Sequence, residues 1–371
     1  MLMSREAILR LKEALDKYVY GREEMKLMIL ACLVSGCDGL IISPPGEAKT
    51  FAITILSQLI EGCRLFRKVL FYDLSRFDIL GMPKIVEEYL ENRREMSIIP
   101  DIESGIATAN IALFDEVFKA PGPIAVLIYD ILAHRTIEWQ GKSIRLDKLW
   151  VVYGLSNIDD INEKRNEKDP TFQPLYDRFS VKLWLSRMSL DECFQVIKLT
   201  YEQSGDFRVK NVTPVVSVQD IEHARKEVEN YVRTYWKEIA LTVTGVVRVV
   251  NMYEKVDVSP RKIVQLVKYV GALMWMGVPT ATILFLLANC LADEIEKVQT
   301  YYSHVVTISD LKQQEELYYL IKTLDKCIVN GDTKQAKALL EELNRKIREL
   351  PLPLKKTYEE ILAKYRQAIS T

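Results

Sequence analysis

From residue 5 to residue 35, apolar side chains recur at helical spacing, first at Ile8, Leu9, Leu11 and Leu15 and again from Met25 to Leu33. The period then changes. Short aliphatic or aromatic runs at 39–42, 68–72, 111–114, 150–153 and 180–184 alternate with helical stretches. Runs of this length, separated by helices, predict five strands of a parallel sheet covered on both faces, an α/β core. Between the third and fourth runs, residues 135–145 alternate polar and apolar around Gln140-Gly141, which predicts a projecting β-hairpin. Residues 84–96, after Gly81-Met82-Pro83, read as a charged helix.

Beyond about residue 187 the strand signal fades and helical periodicity takes over, apart from a polar, β-branched connection at 205–218. Ser259-Pro260 has the form of a helix start, with Ser as cap and Pro at the first helical position. No charge occurs from Tyr269 to Ala292, a length that could cross a bilayer. Gly277-Val278-Pro279 interrupts it, so the expectation is two buried helices joined by a turn, with no membrane span. The last stretch reads as a helix at 309–329, a turn at Asn330-Gly331-Asp332, a helix to 350 and, past Pro351 and Pro353, a final helix. The expected divisions are a core over 1–187, an all-α lid over 188–304, and a helical hairpin with tail over 305–371.

Candidate chemistry begins where the first strand gives way to a helix, at Ser43, Pro44, Pro45, Gly46, Glu47, Ala48, Lys49 and Thr50. A phosphate-binding loop needs backbone N–H groups turned inward at a helix start, where the dipole favours anions. It also needs a Lys to reach the terminal phosphates and a hydroxyl to hold Mg²⁺, and Lys49 and Thr50 stand at those places. The general pattern has Gly where this chain has Ser43 and Ala48, and a non-Gly residue held left-handed costs about 1–2 kcal/mol. Glu47 adds negative charge to a loop meant for an anion, unless its side chain points to solvent. One β–α unit later the third strand ends in Asp115-Glu116. Acidic residues at the C-terminal end of a parallel strand face the ligand crevice. There Asp115 suits a Mg²⁺ shell and Glu116 suits accepting a proton from an attacking water. Taken singly, each piece has a plainer reading as a turn or the polar start of a loop.

Together these residues carry a family likeness. Asp115-Glu116-Val117-Phe118-Lys119-Ala120 resembles the D-E-I-W-K-A or D-E-I-N-R-A stretch of the MoxR and RavA ATPases of the AAA+ class. The 43–50 loop is similar to their G-P-P-G-x-A-K-S/T, including the Ala before Lys. Leu155-Ser156-Asn157 resembles their A-S-N, Leu175-Tyr176-Asp177-Arg178-Phe179 their L-Y-D-R-F/M, and Val258-Ser259-Pro260-Arg261 their S-P-R. Val19-Tyr20-Gly21-Arg22 lies where the family has its adenine-side segment.

The resemblance implies an AAA+ P-loop core with a helical lid, using ATP and Mg²⁺. It implies that Lys49, Glu116 and Asn157 act on the phosphates and the attacking water, and that Tyr20 and Gly21 lie beside the adenine. It implies that Arg178 reaches a neighbour's γ-phosphate and that Arg261 senses nucleotide from the lid. An arginine supplied by a neighbour makes hydrolysis depend on assembly, so a ring, a hexamer in this reading, is expected. The family also implies action on a client or a von Willebrand factor A-domain protein. It places an insertion before Asp115 and sets the 135–145 hairpin, with Trp139, Lys142 and Arg145, near a pore. Two alternatives remain open: a DNA-directed ATPase, and a nucleotide-dependent scaffold with weak turnover, suggested by Ser43 and Glu47.

Composition narrows the partners. A formal net charge of −1 supplies no global field for nucleic acid, which favours the protein-directed reading. The six cysteines include no C-x-x-C pair and the chain has three histidines, which argues against a Cys or His metal site. Each cysteine is expected to be a small buried hydrophobe in a reducing cytoplasm. The first thirty residues mix charge with helical periodicity, unlike a signal peptide.

Overall fold

The computed structural model describes residues 2–90, 93–203, 212–254, 256, 258–305, 320, 323–324, 327 and 333–348. Two helices, α1 (Leu2–Asp16) and α2 (Glu23–Ser35), divide the first helical run. Gly21 and Arg22 lie between them, both left-handed with φ of 59° and 54°. The core then runs through β1 (Gly39–Ile42), α3 (Lys49–Gln58), β2 (Ile60–Glu61), β3 (Leu65–Val69) and α4 (Phe77–Leu80). It continues with β4 (Pro83–Leu90), β5 (Arg93–Pro100), β6 (Ile111–Asp115), α5 (Gly122–His134), β7 (Thr136–Trp139) and β8 (Lys142–Arg145). Last come β9 (Val151–Ser156), α6 (Ile158–Glu167), α7 (Phe172–Arg178) and β10 (Val181–Trp184).

The parallel sheet of five strands has the order β10-β1-β9-β6-β3. β1 pairs with β10 from Gly39↔Val181 and with β9 from Gly39↔Tyr153, and all residues of these three strands are buried. This is the two-sided burial that near-continuous apolar runs require. Gly154 is needed at the centre, because a Cβ there would come within 2.7 Å of the Phe179 ring. β3 lies three residues before its expected start. It is an edge strand, so it tolerates exposed Arg67 and Val69, and pairing from Leu65↔Ile111 decides its position rather than the apolar run at 69–72.

The charged helix expected at 84–96 is instead the antiparallel pair β4–β5, with Pro83 opposite Pro100 at its base. Its Glu, Lys and Arg suit a helix, but β-branched Ile85 opposite Ile98 favours the pleated form. The 135–145 hairpin forms as expected, with Gln140 and Gly141 both left-handed at φ 47° and 76°, the turn a two-residue connection needs. Trp139 on this hairpin is half-buried and packs on Phe77 with ring centroids 5.1 Å apart.

After the core come α8 (Leu190–Gln203), β11 (Val216–Ser217), α9 (Val218–Tyr253), α10 (Pro260–Met276) and α11 (Thr280–Leu291). β11, from the end of the polar connection, pairs in parallel with β2. Ser217 caps α9 by accepting the Asp220 N–H, while the Asp220 carboxylate accepts the Ser217 N–H. Tyr235 interrupts α9 with non-helical φ and ψ of −106° and 17°. Ser259 caps α10 by accepting the Lys262 N–H, and Pro260 opens the helix. α10 stops at left-handed Gly277, and Pro279 precedes α11, so the uncharged stretch is two helices. Among the described residues no helix is long and apolar enough to cross a membrane. Fully buried Asn289 accepts the Trp184 N–H at 2.7 Å and donates to the Trp184 carbonyl at 3.3 Å, filling the free side of β10.

The chain divides into compact units at 1–302 and 303–371. In the second unit the helix Thr333–Arg348 is described, and residues 320, 323, 324 and 327 are helical. The remainder of the helix expected at 309–329, the turn at 330–332 and the stretch past Pro351 and Pro353 lie outside the described residues. Cys32, Cys37, Cys290 and Cys327 are buried as expected, but Cys63 is half-buried and Cys193 is exposed on α8.

Candidate functional site at the C-terminal edge of the sheet

β1 delivers the chain to a loop whose crest, Pro45 and Gly46, is exposed, and α3 begins at its far end. Gly46 (φ 88°) and Ala48 (φ 57°) are left-handed. Ser43 is not, so only Ala48 carries the conformational cost expected of a missing glycine. Ser43 is fully buried and serves as a strand end: its N–H donates to the Ser156 carbonyl at 3.3 Å.

Lys49 is buried. Its ammonium donates to the carbonyls of Ser43 and Ser156, each at 3.0 Å, and to Asn157 Oδ1 at 3.3 Å. Burial pulls its pKa down to about 8, against the pull of the Asp115, Glu116 and Asp160 carboxylates. One residue on, Thr50 Oγ1 donates to Asp115 Oδ2 at 2.8 Å. The strand end and the helix start thus bring together a hydroxyl and a carboxylate, both hard oxygen ligands of the kind Mg²⁺ takes.

Glu116 follows β6 in the left-handed region, with φ 56° and ψ 45°. Asn157, the residue after β9, donates to its two carboxylate oxygens at 3.2 and 3.4 Å. Lys119 bridges Glu116 at 2.9 Å and Asp160 at 3.3 Å. Burial holds the Glu116 carboxyl above its ordinary range, Asp160 adds to this, and Lys119 opposes it.

Glu47 neither points to solvent nor faces the loop as an unpaired charge. It is buried, ion-paired to Arg22, and accepts the Met188 N–H at 3.2 Å. One carboxylate therefore ties the phosphate-type loop to the segment carrying Tyr20 and Gly21 and to the chain just before α8. Tyr20 itself is exposed.

Arg178 and Arg261 are not brought to this cluster. They line a cavity of about 180 Å³ with Gly36, Asp38, Arg135 and Ser180. That cavity sits at the N-terminal edge of the sheet, roughly 16 Å away along β1 at 3.3 Å per residue. Arg135 is held there by Asp38 at 2.6 and 2.9 Å, and the Arg178 guanidinium lies 3.9 Å over the Tyr129 ring.

Four contributors escaped the sequence. Arg22 was visible at the end of the Val19–Arg22 segment, but its pairing with a carboxylate 25 positions away was not. Lys119 was visible within the Asp115–Ala120 motif but carried no assigned role. Asp160 follows Asn157 by one helical turn, a spacing that could have been read. Tyr129 lies in an apolar helix that gives no hint of a cation partner.

A family described as the MoxR domain in the MoxR-vWA-beta-propeller ternary systems matches residues 6–225. Structural protein ORF618 of the Acidianus two-tailed virus is 25% identical over 229 residues, 60% of this chain and 35% of its own. Chaperone MoxR1 of Mycobacterium tuberculosis is 25% identical over 142 residues, 38% of this chain and 35% of its own. The chain thus spans about a third of the length of these relatives. The crystal structure of an inferred ATPase from Cytophaga hutchinsonii superposes with a TM-score of 0.59 over 82% of this chain and 95% of that one, at 17% identity, a likeness of fold.

Proposed function

Because the chain belongs to the MoxR family of AAA+ ATPases, we propose that it binds Mg-ATP at the 43–50 loop and hydrolyses it in a head-to-tail ring. The observation that carries this reading is the hydrogen-bonded cluster of Lys49, Thr50, Asp115, Glu116 and Asn157 at one strand edge. Lys49 would exchange its carbonyl partners for the terminal phosphates. Thr50 and Asp115 would hold Mg²⁺, which offsets charge on the phosphate oxygens. Asn157 orients the Glu116 carboxylate, which accepts the proton of the attacking water. Burial, which raises the Glu116 pKa, makes its carboxylate a stronger proton acceptor.

The ring follows from what the cluster lacks. Phosphoryl transfer is accelerated by a cation at the developing charge, supplied in many such enzymes from a second molecule. Arg178 and Arg261 lie at the opposite edge and have no ion pair among the described residues. They are available to a neighbour's phosphates rather than to their own. Burial and pairing of Glu47 and the ordinary backbone of Ser43 favour a hydrolysing site over a scaffold with weak turnover. We further propose a von Willebrand factor A-domain protein as partner, the kind named in the description of the family.

Steady-state hydrolysis measured against protein concentration tests the proposal. Turnover per chain is expected to rise with concentration. Glu116→Gln is expected to lower it roughly 10²–10⁴-fold while ATP still binds. Turnover that is independent of concentration, or untouched in Glu116→Gln, would overturn it.

A further inference from the structure

The helix α8 is amphipathic in an unusual sense: its apolar stripe faces outward. Leu190, Phe194, Ile197 and Tyr201 recur at the spacing of one helical face, and they range from 50% exposed at Ile197 to 88% at Leu190. Away from this stripe, Glu192, Gln195, Val196 and Thr200 are half-buried. A contiguous apolar face left in water marks a contact surface.

Its place in the fold indicates what covers it. Met188, two residues before α8, donates its N–H to Glu47 inside the 43–50 loop. α8 therefore leaves from the rim of the candidate ATP site, beside the opening that a neighbour must approach to deliver Arg178. The surface that would make that approach is itself partly apolar. On α5, Val126 is 53% exposed and lies one turn before Tyr129, which supports Arg178. On α10, Val264 is 56% exposed and lies one turn after Arg261. Arg261 and the support of Arg178 thus each have an exposed valine one turn away on the same helix. A surface of one kind at one edge and of the other kind at the opposite edge is the requirement for heterologous association, in which each copy presents both.

We propose that the α8 stripe seats a second copy of this chain, whose Val126 and Val264 pack on Phe194 and Ile197 while its Arg178 and Arg261 enter the ATP site. The inference rests on the ring reading above and adds the surface that makes the joint. Apolar packing supplies affinity there, and the arginines supply the dependence on nucleotide.

The experiment replaces Phe194 in the full chain with the photo-crosslinking residue p-benzoylphenylalanine and mixes isotopically light and heavy chains with ATP. The expected products join light to heavy chains, through peptides that contain Val126 or Val264. In parallel, Phe194→Ser and Ile197→Ser together are expected to raise the concentration for half-maximal turnover at least roughly tenfold, with ATP affinity of the dilute protein unchanged; loss of about 1.4 kcal/mol at the joint corresponds to that factor. Crosslinks confined to one chain, for example to 303–371, would overturn the proposal, as would no crosslinks or an unchanged half-maximal concentration. A wild-type chain that fails to assemble with ATP is a separate result, one that removes the ring reading itself.

Discussion

The two edges of the central sheet are finished differently. At the C-terminal edge each charged side chain of the cluster finds a partner within its own chain: Lys49 on carbonyls and Asn157, Asp115 on Thr50, Glu116 on Asn157 and Lys119, Glu47 on Arg22. At the N-terminal edge Asp38 accepts from the Val152 N–H and, of the three arginines, pairs with Arg135 alone, leaving Arg178 on an aromatic ring and Arg261 without an ion pair among the described residues. A binding site for a small anion can be built complete, because the ligand brings its own charge. A surface that must act in another molecule's site cannot be satisfied at home without being disarmed. Under the proposed ring, the contrast accounts for why two groups that the family resemblance assigns to one reaction stand apart in one chain.

Arg178→Ala should separate the edges most sharply. Turnover is expected to fall about 10³–10⁵-fold, the usual weight of a cation supplied to phosphoryl transfer, with the Kd for ATP unchanged. Mixing it with Lys49→Ala, itself unable to bind ATP, should restore part of the activity, because some joints then pair an intact loop with an intact arginine. No recovery in the mixture would mean that the edges do not act across a joint.

A smaller effect is expected within the C-terminal edge. Glu47→Gln leaves the Arg22 guanidinium buried without its counter-charge, a loss of about 3–5 kcal/mol. A drop in Tm of roughly 5–20 °C, read by calorimetry, is the expected sign. The double variant with Arg22→Leu should recover part of it, and strictly additive losses would show that the pair is not coupled. The smallest effect concerns the support of the N-terminal edge. Tyr129→Leu removes a cation–aromatic contact of about 0.5–2 kcal/mol, so kcat should fall roughly 2–30-fold with KM little changed. Tyr129→Phe should behave as wild type; a loss as large as that of Leu would assign the role to the hydroxyl instead.

Much of this was legible in the residues. The buried strands at 39–42, 111–114, 150–153 and 180–184 announce themselves because both their faces are covered, so the apolar signal is undiluted. The edge strand Leu65–Val69 hides its position behind Arg67 and Lys68. The hairpin at 83–100 reads as a helix because Glu, Lys and Arg carry helix propensity, whereas its form is decided by cross-strand partners. The same divide runs through the site. Lys49, Thr50, Asp115, Glu116 and Asn157 stand at strand ends, where chain order and sheet topology bring them together. The Arg22–Glu47 pair and the Tyr129–Arg178 contact depend on tertiary packing that has no period to read. Glu47 was therefore legible as a residue and misread as a liability.

Asn289 has a consequence for how copies can join. An edge strand with free N–H and C=O groups invites another strand to extend the ladder, the route by which sheets merge into open-ended aggregates. The Asn289 amide occupies both groups of Trp184 from within the chain. Strand addition along β10 is interrupted at that residue, which leaves side-chain surfaces to carry the association proposed above.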